Sequence, residues 1–231
     1  MKTVVVNGGS RGIGASVAIA LARDSNNMVI VTGRSEGDLK KVEASGYGRV
    51  VAIKSDLTLQ AERSGELTSY LRREKRGVDV LINSIGLLIK KPFEETTAEE
   101  AISMLETNLI APSMAIRELL PLFNRNAHIV NIGSMGGYQG SIKFPGMAWY
   151  SASKGSLAIM TEALAAELEK DEIRVNCVCP GAVQTEMLEK AFPGYKAPVT
   201  AEEMADFLCW FAMKGNKFFN GKVLPLSTST P

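Results

Sequence analysis

The stretch "TVVVNGGSRGIGAS", residues 3–16, joins a β-branched run to the glycines Gly8, Gly12 and Gly14, spaced G-x-x-x-G-x-G, and then to small and apolar helical positions. Glycines at a strand-to-helix turn let the chain bend tightly. They also let a phosphate approach the N–H groups at the helix N-terminus, where the helix dipole favours negative charge. One glycine triplet alone is a common turn. It gains weight from the rest of the chain, where apolar runs and helical segments go on alternating to the end.

The continuation reads "ASVAIALARD", "NMVIVTGR", "EGDLKKVEA", "RVVAIKSD", "ERSGELTSYLRREK", "VDVLINSIG", "AEEAISMLETNLIAPSMAIRELLPLF", "HIVNIGS", "YSASKGSLAIMTEALAAELEKD", "IRVNCVCPG" and "GKVLPLS". Strands that are apolar throughout are buried on both faces, as in a parallel sheet covered by helices. This predicts an α/β fold: one doubly wound, Rossmann-type parallel sheet of about seven strands with helices on both faces. At 231 residues, with no repeat or linker, the chain is expected to form a single domain over 1–231.

Composition narrows the function classes. A net charge of +1 offers no basic surplus for nucleic acid, and 45% hydrophobic with 22% charged residues is ordinary for a globular protein. The N-terminal apolar run is too short for a signal peptide, and no run approaches the roughly 20 residues of a membrane span. A soluble, cytoplasmic protein is expected. Cys177, Cys179 and Cys209 form no CxxC and have no histidine pair nearby, so neither a disulfide framework nor a metal site is indicated.

In such a sheet ligands bind beyond the carboxyl ends of the strands. After the second run come Gly33, Arg34 and Ser35, with no acid until Glu36. A carboxylate there would bind the 2′-hydroxyl of NAD, whereas an arginine pairs with the 2′-phosphate of NADP. Arg34, with Arg11 in the glycine loop, points to NADP(H), although each could be a solvated loop arginine. Asp56 after the third run could accept from an adenine amino group, and Asn83 and Gly86 after the fourth lie where the chain passes close to a ligand. Singly, these are also turn residues or helix caps.

Ser134 follows the fifth run, and Tyr150 and Lys154 lie at i and i+4, on one face of the next helix. A free tyrosine has a pKa of about 10. A nearby ammonium lowers it toward working pH, which suits a general acid/base. Ser134 could hold a carbonyl oxygen as its charge grows. Asn108 could complete a water-linked proton path to the lysine. Taken alone, Tyr150 is as readily a core aromatic, Ser134 a cap, and Asn108 a helix residue bonding a neighbouring carbonyl.

As an ordered set, these residues and the Pro180-Gly181 pair after the sixth run resemble the short-chain dehydrogenases/reductases, from about residue 3 to residue 226. The resemblance implies Tyr150 as proton donor, Lys154 binding the nicotinamide ribose and depressing the tyrosine pKa, Ser134 orienting the carbonyl and Asn108 holding a relay water. It implies a cofactor site at Gly8, Ser10, Arg11, Gly12, Ile13, Gly14, Arg34, Ser35, Asp56, Leu57, Asn83, Ser84, Gly86, Pro180, Gly181, Val183 and Thr185, besides Tyr150 and Lys154. It also implies a homodimer or homotetramer built on the helices starting near residues 98 and 150.

Within the family the chain is most similar to the 3-oxoacyl-[acyl-carrier-protein] reductases, which implies NADP(H)-dependent reduction of a small-molecule or acyl-carrier-linked ketone to a secondary alcohol. Alternatives are a pteridine, sugar or steroid carbonyl reductase, or a non-catalytic NADP(H)-sensing regulator. A serine hydrolase is disfavoured, since His128, the only histidine, opens the strand that Ser134 follows. The basic "LRREKRG", residues 71–77, reads as a solvated helix end or, less simply, as a patch for an acidic carrier protein.

The sequence also departs from the family pattern. Asn7 stands where the family usually has threonine, and "NSIG" replaces Asn-Asn-Ala-Gly. Tyr150 stands sixteen positions after Ser134, which predicts an enlarged loop, and the segment after Gly181 is short for a lid, which predicts an open pocket. The end "NGKVLPLSTSTP" lacks the acidic, glycine-rich finish of the ketoacyl reductases.

Overall fold

The computed structural model describes residues 1–59 and 65–227. Residues 62–64 of the expected third helix and the last four of the chain lie outside them. The elements run β1 (Lys2–Asn7), α1 (Gly12–Leu21), β2 (Asn27–Gly33), α2 (Glu36–Ser45), β3 (Val50–Lys54), α3 (Gly65–Arg73), β4 (Val78–Asn83), α4 (Ala98–Leu105) and α5 (Ala111–Leu119). They continue with β5 (Phe123–Ile132), α6 (Ala148–Glu167), β6 (Arg174–Pro180), β7 (Val183–Gln184), α7 (Glu186–Ala191), β8 (Val199–Thr200), α8 (Ala201–Lys214) and β9 (Val223–Leu226).

Seven strands form one parallel sheet in the order β3-β2-β1-β4-β5-β6-β9, the architecture expected; β7 and β8 pair separately. The order reverses direction between β1 and β4, and a crevice forms at such a switch point. Alternate residues serve opposite faces. Val4 and Val6 of β1 join Val17 and Leu21 of α1 and Leu208 and Phe211 of α8. Val5 faces the other way, with Leu67 and Leu71 of α3 and Ile116 and Leu119 of α5. The helix expected to run unbroken from Ala98 is interrupted by a π turn over Glu106–Ile110. Pro112 lacks the N–H that would reach back to Asn108 and would crowd its carbonyl, and a widened turn relieves both.

His128 is fully buried, with Nδ1 3.0 Å from the Ala212 carbonyl and Nε2 accepting from Asn176 Nδ2 at 3.0 Å. Burial pushes its pKa down to about 4, so it stays neutral and is spent on packing α8 against the sheet.

Candidate active site

At the first turn Gly8 and Gly14 have no room for a side chain. A Cβ on Gly14 would stand 2.3 Å from the Gly8 carbonyl oxygen, and one on Gly8 would stand 2.8 Å from the Ser84 carbonyl oxygen. Gly8 and Gly12 also take positive φ, 76° and 53°. The Arg11 side chain makes no cap at the N-terminus of α1, and the helix has no acid in its first turn, so its leading N–H groups are open to an anion. Glycine-made space beside an uncapped, acid-free helix start fits a dinucleotide pyrophosphate. Ser10 touches Gly33, and Ile13 packs on the core.

The adenosine end holds more charge than the sequence suggests. Arg34 is exposed, and no described residue pairs with its side chain. Arg11 is committed, 3.1 Å from Glu186 of α7 and 3.8 Å from Asp38 of α2. Asp38 leaves no mark in the sequence, because its return toward the loop depends on how α2 is capped. Ser35 accepts from the Asp38 N–H at 3.4 Å, and the Ser35 hydroxyl, followed by Lys41, holds the Asp38 carboxyl below its usual range. Asp56 bonds Thr58 at 3.0 and 2.7 Å, and Leu57 is buried beside Ala111 and Ala115.

Asn83, at the carboxyl end of β4, spends its side-chain amide inside the sheet. It is 1% exposed and turned along the sheet rather than toward the crevice. Thr32 Oγ1 donates to Asn7 Oδ1 at 2.8 Å, Asn7 Nδ2 to Asn83 Oδ1 at 2.9 Å, Asn83 Nδ2 to Asn131 Oδ1 at 2.9 Å, and Asn131 Nδ2 to Thr161 Oγ1 of α6 at 2.9 Å. The register makes this possible, since Asn7 lies opposite both Thr32 and Asn83, and Asn83 opposite Asn131. One ladder of buried amides thus ties four strand ends to α6. Its sequence sign is an asparagine at or near the end of three apolar runs.

α6 presents Tyr150, Ser153 and Lys154 on its buried face. Ser134 and Tyr150 converge on Gly136, where a Cβ would lie 3.5 Å from Ser134 Oγ and 3.7 Å from Tyr150 Cδ1. Ser134 Oγ also accepts from the Gly136 N–H at 3.1 Å. Burial raises the Tyr150 pKa above its ordinary value, and the hydrogen bond with Ser134 opposes that rise. In this structure burial, and not Lys154, sets the direction of the shift. Lys154 Nζ instead donates to the carbonyls of Ile132 at 2.9 Å and Ile85 at 3.1 Å, and burial lowers its own pKa to about 8. The two sit on one helix face, yet in this structure desolvation governs both.

Asn108, in the π turn, receives the Leu87 N–H at 2.7 Å and donates to the Leu87 carbonyl at 2.8 Å and to Ser153 Oγ at 2.9 Å. Both amide hydrogens are engaged, so the side chain clamps the chain after β4. Gly86, just before that clamp, would bring a Cβ to 3.6 Å from Lys154 Nζ and 3.5 Å from Met187 Cε. Opposite, Gly181 donates to the Leu226 carbonyl at 2.9 Å after Pro180 closes β6, and Val183 is buried. Thr185 caps α7 and lies 3.5 Å from a Cβ placed on Gly12, which closes the ring of segments.

The basic 71–77 stretch runs from the end of α3 to the start of β4, at the amino ends of the strands, away from these residues. The short segment after Gly181 forms β7 and α7, and Phe192 beyond it meets Phe144 edge-on with ring centroids 6.5 Å apart.

The family model for short chain dehydrogenase matches residues 2–196, and the chain belongs to that family. It is 31% identical to an uncharacterized oxidoreductase of Staphylococcus saprophyticus, over 89% of this chain and 88% of the relative. It is 34% identical to a 3-oxoacyl-[acyl-carrier-protein] reductase of Bos taurus, over 80% of this chain and 77% of the relative. Among solved structures, a short chain dehydrogenase from Burkholderia cenocepacia in complex with NADP superposes with a TM-score of 0.87 at 26% identity, covering 98% of this chain and 96% of that one. The protein is an oxidoreductase of a family that binds a nicotinamide cofactor. No described helix is long and apolar enough to cross a membrane.

Proposed function

We propose that the chain, as one Rossmann-type domain over residues 1–231, is a cytoplasmic NADP(H)-dependent reductase of a ketone carried on a small molecule or an acyl carrier, with Tyr150 as proton donor. The observation that carries this is the convergence of the Ser134 hydroxyl and the buried Tyr150, which share a hydrogen bond and both lie beside Gly136. A tyrosine whose pKa is raised stays protonated at neutral pH, the form that an acid needs when a carbonyl oxygen takes on charge. Ser134 donates to the same oxygen and orients it. When the proton leaves, the Lys154 ammonium, one helical turn away, balances the phenolate, and its pKa near 8 lets it return a proton at physiological pH. Asn108 and Ser153 hold the 86–87 backbone against this pair.

When bound, the cofactor supplies the hydride. The α1 N-terminus with Gly8, Ser10, Gly12, Ile13 and Gly14 would hold its pyrophosphate. Asp56 and Leu57 would lie at the adenine, Ser84 and Gly86 along the backbone approach, and Pro180, Gly181, Val183 and Thr185 beside the nicotinamide. Arg34, unpaired, and Ser35 would receive a 2′-phosphate, and Arg11 would keep Asp38 from repelling it. The NADP-bound Burkholderia neighbour and the bovine ketoacyl reductase support cofactor and substrate class. Exposed Ile102 on α4, Ile110 in the π turn and Ile159 on α6 support association into a homodimer or homotetramer.

Tyr150→Phe is expected to lower NADPH-dependent ketone reduction about a thousandfold while NADPH affinity stays within a few fold. Turnover near the wild-type rate would remove Tyr150 from the chemistry, and wild-type NADPH binding with no ketone reduced would favour a sensing role. Arg34→Asp is expected to move the NADPH:NADH preference about tenfold or more toward NADH. An unchanged ratio would overturn the cofactor assignment.

A further inference from the structure

Lys90, at the mouth of the cleft, is held unlike an ordinary surface lysine. Its Nζ lies 3.9 Å from the centroid of the Phe192 ring. Its stem passes Gly146, where a Cβ would stand 3.3 Å from Lys90 Cγ, and Gly146 itself takes a φ of 79°. The Lys91 N–H donates to the Gly146 carbonyl at 2.9 Å, which pins the segment after β4 to the loop before α6. Phe192 therefore carries the ammonium on its ring, while it also packs against the apolar cluster of Met104, Met147 and Tyr150.

Several other charged groups nearby already have partners. Lys91 pairs with Glu100 at 3.1 Å, and Lys143 donates to the Tyr138 carbonyl and Ser141 Oγ, each at 2.6 Å. Glu186 is taken by Arg11, and Glu189 accepts from the Gly194 N–H at 3.0 Å. Among the described residues no carboxylate pairs with Lys90. An aromatic face orients a cation and leaves its outward N–H groups to accept a stronger, anionic partner.

We propose that Lys90 determines specificity: it anchors the anionic end of a ketone whose apolar arm runs from Tyr150 along the Phe192 ring. The inference rests on the reading that Tyr150 protonates the ketone, and it narrows the substrate to an apolar ketone with a negative group beyond the reacting carbonyl. That group is either a carboxylate of the ketone itself or the phosphate of a pantetheine thioester.

Lys90→Met keeps the stem and removes the charge; Lys90→Arg keeps the charge. Both are compared with wild type on ketones bearing a terminal carboxylate and on their methyl esters. A 3-oxoacyl phosphopantetheine thioester and its neutral N-acetylcysteamine counterpart form the second arm. In the arm that matches the substrate, wild type is expected to prefer the anionic partner about tenfold or more in kcat/KM. Lys90→Met is expected to lose that preference through KM, with the neutral partner within about twofold, and Lys90→Arg to restore it. No preference in either arm, or an equal loss on charged and neutral partners, would overturn the proposal.

Calorimetric titration of the protein with an alkanoate and with the alkanol of equal length reads the same contact without turnover. If no ketone is reduced, the reductase reading fails. Tighter binding of the alkanoate that Lys90→Met abolishes still supports the anchor, and equal binding of the two overturns it.

Discussion

The two ends of the candidate cleft are built from different material. At the glycine loop the walls are backbone, with a Cβ on Gly14 blocked at 2.3 Å by the Gly8 carbonyl oxygen and the strand ends locked by the asparagine ladder. At the mouth the walls are side chains from three separate segments, Lys90, Phe144 and Phe192, of which Phe144 remains 55% exposed. Backbone walls cannot repack, so they fix one ligand shape. Side-chain walls can be exchanged without moving a strand, which lets one fold accept different ketones.

The largest break in that contrast is expected at Gly14. Gly14→Val places carbon atoms on a backbone oxygen that has no flexible end to move, so α1 must shift off the first strand. A loss of about 4 kcal/mol or more in urea unfolding, or failure to fold, is expected, with loss of NADPH binding. A variant with wild-type midpoint and affinity would show that the loop yields, and the contrast between the two ends would collapse.

The ladder sharpens the comparison at the next level. Asn83→Leu leaves the Asn7 amide hydrogens and the Asn131 carbonyl oxygen unpaired inside the sheet, at an expected cost of roughly 3 kcal/mol in urea unfolding without cofactor. Asn7→Thr, which keeps one hydroxyl toward Asn83 but drops the bond from Thr32, is expected to cost about 1 kcal/mol. Equal losses would show that the ladder acts as a whole rather than bond by bond.

This difference in material also explains what can be read from the residues alone. The glycine loop, Ser134 and the Tyr150–Lys154 pair are local patterns, fixed by period and by position at a strand end. Asn83 is expected at the crevice, yet its amide turns into the sheet because Asn7 and Asn131 stand level with it, a fact of register between distant strands. The clamp that Asn108 makes joins it to Leu87, 21 residues away, and the raised Tyr150 pKa depends on burial that no spacing encodes. Asp38 and Phe192 are illegible for the same reason, as each gains its place from a partner far along the chain.

The smallest effect on stability is expected at the mouth. Phe192 is only partly buried and touches Phe144 and Lys90 across segments that are each held by their own backbone bonds. Phe192→Ala should therefore cost about 1 kcal/mol or less in urea unfolding. Its effect belongs to the substrate: KM for an apolar ketone is expected to rise about tenfold with kcat little changed, because the ring contributes binding that is equal in ground and transition states. A fall in kcat with KM unchanged would mean instead that the ring positions Tyr150, and that the side-chain wall is as rigid a part of the chemistry as the backbone wall opposite.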